Sequence, residues 1–120
     1  MSRTGWHIAE SAEALVLARH LPARFDVAAE ARFPRLRRRA LAHEVRKDVW
    51  RSLSRLRGFS PVVEVRVAGE GLDLRAGGRI AGPVPQGTEA RLHALLTDPA
   101  HRARWIAHAG LRDRTDGAGR

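Results

Sequence analysis

A chain of 120 residues is the size of one domain, long enough to bury about 65% of its unfolded surface and fold without covalent staples. It has no cysteine, no positively charged start followed by an apolar run of signal length, and no stretch near the ~18 apolar residues that cross a bilayer, so disulfides and a membrane span are excluded and a cytoplasmic protein is expected. The formal net charge of +9, with Lys47 the only lysine among 22 basic residues, favours acidic partners.

Residues 1–10 hold Trp6 and His7 without a period and are expected to form an arm, either loose or with its tryptophan docked on the core, docking being the favoured outcome for a tryptophan. From Ser11, an N-cap residue type, Ala12 to His20 favour a helix offering Leu15, Val16 and Leu17 and stopping at Pro22, although the run ALVLA would also serve as a buried strand. Over residues 24–33, Phe25, Val27, Ala29, Ala31 and Phe33 alternate with Arg24, Asp26, Glu30 and Arg32, the period of a strand half-buried on one face.

The longest pattern follows. Between Pro34, which suits a first helical turn, and Gly58, which suits a left-handed cap, residues 35–57 predict a helix of roughly 34 Å. Leu41, Ala42, Val45, Val49, Leu53 and Leu56 form its core stripe. A second flank with Arg37, Glu44, Asp48, Arg51 and Arg55 is expected in solvent, with Glu44–Lys47 and Asp48–Arg51 pairs three residues apart. The third face carries Arg39, His43, Arg46, Lys47, Trp50, Ser54 and Arg57, a large aromatic among cations, with Arg46 one turn before Trp50 and able to stack on it. Nine basic residues against two acidic ones give this segment seven of the nine net charges.

After Gly58, residues 61–67 and 72–76 read as strands of a hairpin closed by the loop Ala68-Gly69-Glu70-Gly71. That loop sets Val67 opposite Leu72, Arg66 opposite Asp73, Val65 opposite Leu74 and Glu64 opposite Arg75. Every apolar residue then meets an apolar one and every charge its opposite. Gly77-Gly78 is expected to turn the chain toward a short strand at 79–81. Thr88 should cap a helix over 89–96 presenting Leu92, Leu95 and Leu96, and Asp98-Pro99 should start another over 99–109 carrying Trp105 and Ile106. Residues 111–120 are expected to be a disordered basic tail.

The expected architecture is a single α+β domain over residues 1–110, two-layered, with the long basic helix across a small, mostly antiparallel sheet. No chemistry of a familiar kind is legible in it. The histidines at 7, 20, 43, 93, 101 and 108 offer no pair three or four apart, so no metal site is expected, and no phosphate loop, nucleophile elbow or converging carboxylate pair stands in the chain. No cofactor and no catalysis are expected. What is left is the cationic face: Arg39, His43, Arg46, Lys47, Trp50 and Arg57 would contact RNA or DNA phosphates with little sequence choice, Trp50 stacking on a base or sugar. The same face could instead dock on an acidic protein surface as an adaptor or inhibitor, since Trp and Arg anchor interfaces. The opposing expectation for Trp50 is cover by the N-terminal region.

Overall fold

The computed structural model describes residues 5–111. Its strands are β1 His7–Glu10, β2 Ala14–Ala18, β3 Val27–Pro34, β4 Ser60–Ala68 and β5 Gly71–Arg79, and its helices α1 Arg38–Leu53, α2 Thr88–Thr97 and α3 Pro99–Ala109. The strands form one antiparallel sheet in the order β1-β2-β4-β5-β3, with α1 packed over its centre and α2 along β3, a two-layer α+β domain.

The β4–β5 hairpin has the register its side chains dictate: Val67 pairs with Leu72, Arg66 with Asp73, Val65 with Leu74 and Glu64 with Arg75. The connection is tighter than expected, because Ala68 and Gly71 pair as well and leave Gly69-Glu70 as the turn, with Gly69 at φ +59°. Gly77 and Gly78 do not turn the chain. They continue β5 to Arg79 between two neighbours, where a Cβ on Gly77 would run into the Val27 carbonyl and one on Gly78 into that of Ser60. A glycine pair inside a strand marks close backbone approach as readily as it marks a turn.

The helix expected over 12–20 is instead β2, the second strand of an N-terminal hairpin. Ser11 Oγ accepts the backbone N–H groups of Glu13 and Ala14, as a cap would, but the chain returns as a strand. Leu15 and Leu17 pair with Val65 and Val63 and are fully buried, a burial that outweighs the helical preference of the alanines. The expected arm is in part β1, and Trp6 is half-buried against the core. β3 begins at Val27 rather than residue 24, since Arg24 and Asp26 are tied to each other in the preceding loop and Asp26 also accepts Ile80 N–H.

α1 is shorter than expected, sixteen residues and about 24 Å. Pro34 is spent in β3, paired with Gly71, and the chain then crosses to α3, where Arg37 N–H donates to Ala109 O and its guanidinium to the carbonyls of His108 and Gly110. Arg37 thus closes the C-terminus of α3 rather than standing in solvent. The stripe Leu41, Ala42, Val45, Val49 and Leu53 is buried as expected. Asp98 caps α3 by accepting His101 N–H, whereas Thr88 gives no cap and donates its hydroxyl to Pro85 O.

Candidate functional site

Charge is distributed unequally over the two sides of the molecule. On the side of the sheet away from α1, register places Glu30, Arg75 and Glu64 in one row across β3, β5 and β4, and Arg32, Asp73 and Arg66 in the next. The rows alternate in sign and cancel, with Arg32–Asp73 at 2.9 Å and Arg66–Glu64 at 3.3 Å. Together the two rows carry no net charge.

The flank of α1 with Glu44 and Asp48 is not in solvent, because α3 lies over it. Asp48 accepts Trp105 Nε1 at 2.8 Å, Arg104 Nη2 at 2.7 Å and Arg51 Nη1 at 3.4 Å. Glu44 meets Lys47 at 2.7 Å and His108 Nε2 at 3.5 Å, so both expected i,i+3 pairs form, around buried carboxylates. Burial pushes each carboxyl up, but the donors outweigh it and hold both below the usual range, Trp105 and Arg104 for Asp48, Lys47 and His108 for Glu44.

The cationic flank faces β1. Ile8 and Glu10 alternate toward the helix, and Trp6, just ahead of the strand, continues the period. The Glu10 carboxylate takes Arg38 on one oxygen and Arg39 on the other, both at 3.1 Å. Arg46 lies over the Trp6 ring at 4.5 Å, so its expected stacking partner, Trp50, is replaced by the N-terminal tryptophan. Trp50 is only partly covered. It keeps 46% exposure and stacks on Phe59, centroids 6.1 Å apart and planes within 17°. His43 is half-buried, and burial together with the charges of Arg46, Arg39 and Lys47 depresses its pKa.

Trp6, Arg19, His20, Arg46, Trp50, Phe59 and Pro61 line a recess of about 310 Å³. Arg19 reaches the Trp6 ring from a second direction, 5.5 Å from its centroid, and His20 Nδ1 is 2.9 Å from Ser60 Oγ. Among the described residues the lining holds three aromatics, two guanidiniums and an imidazole, and no carboxylate. Of the residues expected on the cationic face, Arg39, His43, Arg46 and Trp50 lie along β1 and the recess. Lys47 is drawn to Glu44, and Arg57 sits past the helix end, where its carbonyl accepts Ala81 N–H. Trp6, Arg19, His20 and Phe59 were not legible as site residues. The one available signal was the period of two in Trp6, Ile8 and Glu10.

Among the described residues no group of three or more His, Asp and Glu converges on a metal position, and no helix is long and apolar enough to cross a membrane. No family model, curated protein or solved structure matches the chain.

Proposed function

We propose that this is a non-enzymatic protein that binds nucleic acid through phosphate contacts on the cationic flank of α1, with little sequence choice and in a cytoplasmic setting. The observation that carries the reading is the half-exposed Trp50 stacked on Phe59 at the end of a row of cations, beside a recess with no carboxylate among the described residues. Arg39 and Arg46 supply charge along the row, with Lys47 beside it on Glu44 and Arg57 beyond it. The exposed Arg39–Glu10 pair holds its cation weakly, worth about 1 kcal/mol or less, so a phosphate can compete for it.

The test is a titration of mixed-sequence RNA and DNA by anisotropy at several salt concentrations. Binding should depend little on sequence and fall with salt, log K against log salt having a slope near −0.7 to −0.9 per phosphate contact. No binding even at low salt overturns the reading and leaves the acidic protein surface as the partner to examine.

A further inference from the structure

Resting on that reading, we infer that the recess between Trp6, Trp50 and Phe59 seats one unstacked base, its phosphate held between Arg19 and Arg46, so that the protein selects single-stranded nucleic acid over duplex. Three observations carry this. Phe59 stacks on the Trp50 indole, whose side chain is still 46% exposed beside the recess. A volume of about 310 Å³ lies at the small end of ligand sites, which suits one base better than an extended surface.

The third observation is charge, which decides what kind of flat ligand is accepted. An aromatic box is a standard receptor for quaternary ammonium groups. Here Arg46 and Arg19 stand 4.5 Å and 5.5 Å from the Trp6 centroid, and among the described residues no acidic side chain lines the recess. A cation is repelled, whereas a planar group carrying an anion gains from both the rings and the guanidiniums. A nucleotide is such a group, and its base is available for stacking only when it is out of a duplex.

Three indoles make the test direct. Trp105 is fully buried with its N–H on Asp48 and serves as an internal reference, while Trp6 and Trp50 line the recess. On addition of adenosine 5′-monophosphate, the indole N–H resonances of Trp6 and Trp50 should shift together and that of Trp105 should not, and ribose 5-phosphate should produce no comparable shift. Trp50→Ala should weaken a mixed-sequence single strand by roughly 5- to 150-fold and duplex far less, with Trp50→Phe restoring most of the loss. Equal binding of single strand and duplex, with Trp50→Ala affecting neither, overturns the base-seating inference and leaves phosphate binding in place. Failure of both nucleic acids to bind at low salt overturns the phosphate reading and this inference with it.

Discussion

Two tryptophans mark the two flanks of α1, and they differ in cover. Trp105 comes from α3, is fully buried, and gives its N–H to Asp48 on one flank, while Trp50, on the other, stacks on Phe59 and is 46% exposed. Both flanks carry charge, and both hold an arginine against a partner: Arg104 on Asp48, Arg46 on Trp6. An eleven-residue helix laid over the first turns its carboxylates into a buried network, whereas a four-residue strand beside the second leaves an aromatic surface open among cations. The lesson is that residue type did not separate structure from site; the element packed on top did.

The comparison breaks first at Asp48. Asp48→Ala strips Trp105 Nε1 and Arg104 of their acceptor in a buried setting, and should cost about 2–3 kcal/mol in urea unfolding while leaving nucleic-acid affinity within about twofold. A cost below about 1 kcal/mol would mean that α3 does not depend on this network. The same flank should govern acid sensitivity. Asp48 and Glu44 have depressed folded pKa values, so their stabilisation is present above the ordinary carboxylate range near pH 4 and is lost as pH falls through the lower folded values. Urea midpoints across that range should drop steeply, and Asp48→Asn should flatten the drop.

On the open flank, pH should act on binding instead. The depressed His43 pKa keeps the ring neutral near pH 7, and a phosphate beside it would raise that value, so binding takes up a proton and affinity should rise a few-fold as pH falls below about 6.5. His43→Gln should remove that part of the rise. Without ligand the same depression works the other way, stability falling as pH drops below about 6.5. The smallest effect belongs to Glu10, whose carboxylate competes for Arg38 and Arg39. Glu10→Gln should tighten nucleic-acid binding by about two- to fivefold, and weaker binding would show that β1 itself is needed to present the flank.

Much of this was legible where the information is local. The β4–β5 register followed from one short turn and an alternation that matches residue by residue, and the core stripe of α1 from its period. The N-terminal hairpin was not, because ALVLA suits helix or strand and its pairing partner, β4, lies more than forty residues on. Glu44 and Asp48 read as solvent residues because helical periodicity cannot say that Arg104, Trp105 and His108 will arrive to satisfy them. At the site, Trp50 and Arg46 were visible, but Arg46 found its aromatic partner in the N-terminal segment, and Arg19, His20 and Phe59 come from positions flanking β2 and β4 that carry no pattern of their own.

The most direct test sets the flanks against each other at equal charge. Arg39→Glu with Arg46→Glu alters the open flank, and Arg55→Glu with Arg91→Glu changes two exposed arginines elsewhere by the same amount. Measured by anisotropy with a mixed-sequence single strand at one moderate salt, the first pair should lose well over tenfold in affinity and the second no more than a few-fold. Equal losses would mean that the chain responds to net charge alone and that the flank beside Trp50 is not the binding surface.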